Sequence, residues 1–76
     1  MDKQTIRVKL AFPLNQVKEP VLYHLVMDYA LIPNIRRARI DSHIGGEMIL
    51  ELTGEDNDLN RGIAFLRNCG IDATIV

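Results

Sequence analysis

Thr5-Ile6-Arg7-Val8-Lys9-Leu10-Ala11-Phe12 decides the reading of this chain. Ile6, Val8, Leu10 and Phe12 alternate with Thr5, Arg7, Lys9 and Ala11, the two-residue period of a strand with one buried face. The polar partners predict that the other face meets water, as antiparallel sheets allow. Pro13 ends the strand. Glu19-Pro20 then opens a predicted helix over roughly 20–31, with Pro20 in the first turn, where its missing N–H costs nothing.

Val21, Leu22, Leu25 and Tyr29 form the stripe of that helix expected to face a sheet. The remainder of the wheel is also apolar, through Tyr23, Val26, Met27 and Ala30, with a narrow polar strip of His24 and Asp28. A helix on one sheet has one face to bury, so Tyr23, Val26, Met27 and Ala30 are predicted as a surface for a second copy or a partner. Pro33 biases Ile32 toward extended backbone and separates the helix from a strand over residues 34–41. In that strand Ile35, Ala38 and Ile40 do not share one parity, which a bulge near Ile35–Arg37 reconciles. Paired glycines at Gly45-Gly46 signal a hairpin turn, and Met48, Leu50 and Leu52 alternate with Glu47, Ile49 and Glu51 in the returning strand.

Glu55, Asp56 and Asp58 suit the start of a second helix. Leu59, Ile63 and Leu66 recur along it at helical spacing, with Gly62 on the same face predicted to let the helix approach the sheet. Gly70 ends it near Cys69, and residues 71–76 make a short last strand. The order is β-α-β-β-α-β. The fold class is therefore α+β, a ferredoxin-like sandwich: a four-stranded antiparallel sheet with two helices on one face, in a single domain over residues 1–76.

Composition narrows the function. With 47% hydrophobic residues and only four aromatics (two Tyr and two Phe), the core is aliphatic and the chain globular. Such a short chain buries a modest core and gains from association. A formal charge of -1 argues against strong nonspecific attraction to nucleic acid or anionic membrane. RNA-binding domains of this strand order stack bases on exposed strand aromatics, and none lies between Ile35 and Leu52. No apolar run reaches the roughly 20 residues of a membrane span, and the start, Met-Asp-Lys-Gln-Thr, reads as no signal peptide. The single Cys69 forms no internal disulfide and fits a reducing cytoplasm.

Catalytic constellations are missing. His24 and Asp28 read as an exposed i, i+4 pair rather than a general base, since no nucleophile accompanies them. His43 is a turn residue, Cys69 an inert packing residue, and neither forms a metal set with His24. The acidic run lacks the alternating oxygen ligands of a calcium loop. No cofactor or metal is expected. The conspicuous feature is Arg36, Arg37 and Arg39 on one strand, where guanidinium forks suit a carboxylate. Strand parity splits Arg36 from the other two. A solvated, charge-decorated edge is the plainer reading of the three.

Glu19-Pro20-Val21 before an apolar helix, then Pro33-Asn34-Ile35-Arg36, Leu50-Glu51-Leu52-Thr53-Gly54 and Arg67-Asn68-Cys69-Gly70-Ile71, together resemble the NIL domain family over nearly the whole chain. The resemblance implies a ferredoxin-like regulatory domain of the kind found on methionine-importer ATPases, where it dimerises and binds methionine, or fused to ferredoxin-type iron–sulfur domains in sulfur metabolism. The family's Asn-Ile-Leu triplet, at its ligand strand, corresponds to Asn34-Ile35-Arg36, a form closer to the iron–sulfur fusions. It implies Asn34, Ile35, Arg36 and Arg37 as ligand neighbours: Asn34 for the polar end, Arg36 or Arg37 for a carboxylate, Ile35 for apolar contact. The expected protein is thus a non-enzymatic, cytoplasmic, homodimeric sensor of methionine or a related sulfur-containing amino acid. With neither an ATPase nor a cysteine cluster in the chain, its output passes to a separate effector. The alternative is an accessory subunit that docks a protein partner and binds no small ligand.

Overall fold

The computed structural model describes residues 3–13, 20–41 and 43–76. Six elements follow in the expected order: β1 Gln4–Phe12, α1 Val21–Met27, β2 Ile32–Asp41, β3 Gly45–Gly54, α2 Asp56–Asn68 and β4 Asp72–Ile75. The strands form one antiparallel sheet in the order β2-β3-β1-β4. This is the ferredoxin-like α+β sandwich. Of the expected helix opening and hairpin turn, Glu19 and Ser42 lie outside the described residues.

The alternation in β1 and β3 builds the core directly. Val8 stands opposite Leu50, Leu10 opposite Met48 and Ile6 opposite Leu52. Val8, Leu10, Leu50 and Leu52 are completely buried beneath Leu25 of α1 and Leu59, Ile63 and Leu66 of α2. Both helices therefore cover one sheet face. The other face carries the polar half of each strand, with Thr5, Arg7 and Lys9 beside Thr53, Glu51 and Ile49.

The bulge in β2 falls where the parity of its isoleucines requires. Ile35 pairs with Leu50 and Arg37 with Ile49, leaving Arg36 as the extra residue. Ile35, Ala38 and Ile40 consequently sit opposite Leu50, Met48 and Gly46, all on the helix-covered side. The strand begins earlier than expected, and Pro33 lies inside it, opposite Leu52. An edge strand tolerates a residue that cannot donate to the ladder.

Helix α1 corrects the sequence reading. It ends at Met27, four residues short of the expected end, so Tyr29 and Ala30 are not helical. Ala30 takes the left-handed conformation, φ 55°, and the Leu31 N–H donates to the Leu25 carbonyl at 3.0 Å. That reversal turns Leu31 inward, where it is 1% exposed. A Cβ on Gly54 or on Gly62 would lie 2.5 Å from one or other Leu31 δ-carbon. Gly62 therefore admits Leu31 and Leu25 rather than the sheet. Leu31 is a wedge between β3 and α2.

Helix α2 ends as expected. Gly70, φ 84°, lets its own N–H reach the Arg67 carbonyl at 3.0 Å and the Ile71 N–H reach Leu66 at 3.1 Å, the paired bonds of a Schellman stop. Asp56 and Asp58 occupy its first turn, complementing the positive end of the helix dipole.

Candidate functional site

The bulge settles which arginines share a surface. With Arg36 taking the extra place, Asn34, Arg37 and Arg39 fall on the open sheet face, opposite Glu51, Ile49 and Glu47 of β3. The two carboxylates are already engaged from the other side. Arg7 Nη2 reaches Glu51 Oε2 at 3.1 Å, and Lys9 Nζ lies 3.7 Å from Glu47 Oε1. Among the described residues, no carboxylate stands within ion-pair distance of Arg36, Arg37 or Arg39, and all three are exposed.

A hollow of about 220 Å³ lies here, bordered by Arg37, Ala38, Arg39, Glu47, Met48 and Ile49. β2 contributes two guanidinium groups and β3 one carboxylate, with Ile49, opposite Arg37, as the apolar side chain on the open face. That combination matches an α-amino acid: carboxylate to arginine, ammonium to Glu47, aliphatic chain to Ile49. Asn34 is two ladder steps from Arg37, about 7 Å along the strand. An extended ligand held by Arg37 reaches that far.

Of the four residues expected at the ligand, Asn34 and Arg37 thus share a surface. Arg36 stands at the bulge, and Ile35 belongs to the opposite, helix-covered face. Ile49, Arg39 and Glu47 complete the hollow in their place. Their signal was present in the sequence, as the open-face parity of β3, but it stays unusable until the bulge in β2 is placed.

A second hollow of about 230 Å³ lies on the helix side, among Phe12, Pro20, Leu22, Tyr23, Ile40 and Met48. It adjoins the outward side of α1, where Tyr23 is 59% exposed and Met27 63%. Val26 and Ala30 are exposed as well, so the four residues expected at a partner surface all reach solvent, although Ala30 lies beyond the helix.

Several other polar groups have structural partners. His24 Nδ1 lies 2.8 Å from Asp28 Oδ2, and its ring meets Phe65 edge-on. Asp41 Oδ1 accepts from the His43 N–H at 2.8 Å in the hairpin turn. Arg61 lies over the Tyr29 ring, 5.3 Å from its centroid. Among the described residues there is no cluster of three His, Cys, Asp or Glu side chains able to hold a metal, and no helix long and apolar enough to cross a membrane.

The NIL domain model matches residues 6–74. The chain belongs to the NIL domain family. The crystal structure of the C-terminal domain of an ABC transporter ATP-binding protein from Enterococcus faecalis has the same fold, with a TM-score of 0.83 at 24% identity, covering 93% of this chain and 82% of that one. No curated protein matches the chain. Membership of the NIL family supports a regulatory role. In this NIL domain Asn34 lies on the same face as Arg37 and Arg39.

Proposed function

We propose that this NIL domain is a regulatory module that binds a small sulfur-containing amino acid, methionine or a close relative, and acts as a homodimer. The hollow bordered by Arg37, Arg39, Glu47 and Ile49 carries the reading, because it offers one partner for each part of such a ligand. Arg37 and Arg39 take the carboxylate, Glu47 the ammonium and Ile49 the thioether chain, while Asn34 meets the polar end of a longer ligand. Arg36 at the bulge is a further guanidinium for the carboxylate. Ile35, on the helix-covered face, lies outside this hollow.

The site lies on an open face, where exposed ion pairs contribute little, so a single copy binds weakly, with Kd on the order of 0.1–1 mM. Tyr23, Val26, Met27 and Ala30 form the homodimer contact, with the apolar hollow beside Tyr23 receiving a side chain of the second copy. Ligand acts on that equilibrium only through its different affinity for the two states. The lone Cys69 fits work in a reducing cytoplasm, with a separate effector receiving the output.

Calorimetric titration with methionine, homocysteine and cysteine tests the ligand. Saturable heat with one of them, lost in the Arg37→Ala/Arg39→Ala double variant, is expected. Dilution heats alone with all three, up to several times about 1 mM, would remove the amino acid from the proposal. The docking subunit without a small ligand would then take its place, favoured by the exposed apolar side of α1.

A further inference from the structure

Strand β2 is the outer strand of the sheet on its side, ten residues long, with β3 as its neighbour. The other outer strand, β4, has four. A long outer strand presents unpaired backbone N–H and C=O groups to any extended chain. Its side chains form two rails. Arg37 and Arg39 stand on the open-face rail, while Ala38 and Ile40 stand on the helix-side rail, with Ile40 68% exposed.

The usable part of this edge is its second half. Pro33 has no N–H to donate, and the bulge at Arg36 breaks the ladder. From Arg37 to Asp41 the pairing with β3 is regular. A second copy of β2 is a poor occupant. Its one acidic residue, Asp41, does not match both arginines. An antiparallel pair centred on Arg37 sets that residue against its own copy, and one centred on Ala38 sets Arg37 against Arg39. Like charges directly opposite are destabilising. A pair centred on Ile40 sets Arg39 against Asp41 but leaves Arg37 without an acidic partner. The carboxylates of β3 pair with Arg7 and Lys9 rather than with the arginines of β2.

We infer that the outer edge of β2, over Arg37–Asp41, docks an extended segment of a partner protein in which acidic and aliphatic residues alternate. The segment adds a fifth strand, antiparallel to β2. Its carboxylates stand opposite Arg37 and Arg39, and its aliphatic residues extend the rail of Ala38 and Ile40. Opposite Asp41, whose carboxylate accepts from the His43 N–H, the segment carries a basic or neutral residue. Read from its N-terminus, the core pattern is Lys-Val-Glu-Val-Glu. This docking goes beyond the amino-acid reading and does not depend on it, because the main chain of the outer edge supplies the added ladder.

The test is fluorescence anisotropy on the whole chain, without added amino acid, using a fluorescein-labelled peptide with the core Lys-Val-Glu-Val-Glu. Saturable binding is expected below about 1 mM. N-methylation of alternate peptide nitrogens, in one of its two phases, removes donors that face β2 and weakens binding by about tenfold or more. The Arg37→Glu/Arg39→Glu variant loses this peptide and takes instead one with both glutamates replaced by lysine. Both positions are exposed; if the variant unfolds in circular dichroism, the N-methylated peptides on the unaltered protein decide alone. Absence of saturable binding overturns the inference. So does equal affinity for the parent and both N-methylated peptides, which would make the contact one of charge alone. Because the double variant also loses the amino-acid site, the N-methylated peptides separate failure of this inference from failure of that one.

Discussion

The two helices of this domain stop in different ways, and the difference runs through everything around them. Helix α2 has thirteen residues, acidic groups in its first turn and a glycine in the left-handed position after its end. Helix α1 has seven residues, no acidic group in its first turn, and an alanine as its left-handed residue, one place further beyond the helix end. A glycine takes a left-handed backbone without steric cost, whereas an alanine pays for its Cβ. One helix is thus held mainly by its own stop signals. The other is held by Leu31, whose side chain docks between Gly54 and Gly62. Around α2, Leu59, Ile63 and Leu66 are buried in the core, while the half built on α1 and β2 keeps apolar and cationic groups exposed. That second half carries the residues of the proposed ligand and partner contacts.

The sharpest way to break this contrast is to remove the wedge. Leu31→Ala empties a buried site and is expected to cost about 2–5 kcal/mol in urea denaturation, enough to leave so small a domain barely folded. Gly62→Ala comes next. Its added Cβ meets Leu31, which Gly54 clamps from the far side, so overpacking of about 1–3 kcal/mol outweighs the helix-propensity gain of up to about 1 kcal/mol. An increase in stability would show that Leu31 has room to yield.

The two stops themselves are a matched pair. Gly70→Ala meets no atom within 4 Å, so its expected cost of about 1 kcal/mol is conformational alone. Ala30→Gly is expected to do the reverse and raise the denaturation midpoint, by up to about 1 kcal/mol. If both changes destabilised, the left-handed residue would not be what distinguishes the two helices. The smallest effect on stability is at the exposed side of α1, where Tyr23→Asp with Met27→Lys stays within roughly 0.5 kcal/mol per site. Its readout is sedimentation velocity instead, where the proposed homodimer of the parent protein is expected and its loss in the variant.

The fold was readable because several signals agreed. β1 and β3 alternate cleanly, Gly70 marks one helix end, and the mixed parity of Ile35, Ala38 and Ile40 requires a bulge that the structure places between Ile35 and Arg37. The end of α1 was not readable, since Ala30 is a good helix former and nothing local announces its left-handed turn. Nor was the role of Gly62, because its partner, Leu31, lies far away in the sequence. Part of the candidate site was visible as arginines on a strand. Ile49 and Glu47 were not, because the face that each β2 side chain occupies changes with the position of one extra residue.

That extra residue gives β2 something like a reading frame. Deleting one residue from a strand ordinarily turns every following side chain to the wrong side. At Arg36 the opposite holds, because the bulge already contains the surplus. A chain lacking Arg36 would keep Ile35, Ala38 and Ile40 toward the helices, and Arg37 and Arg39 toward the open face, with a straighter edge. Loss of Arg37 gives the same chain, since Arg36 then takes its place. Beyond this pair, the same loss would exchange isoleucine for arginine against the core. The Arg36-Arg37 pair is where β2 can shorten by a residue and still present the same two surfaces.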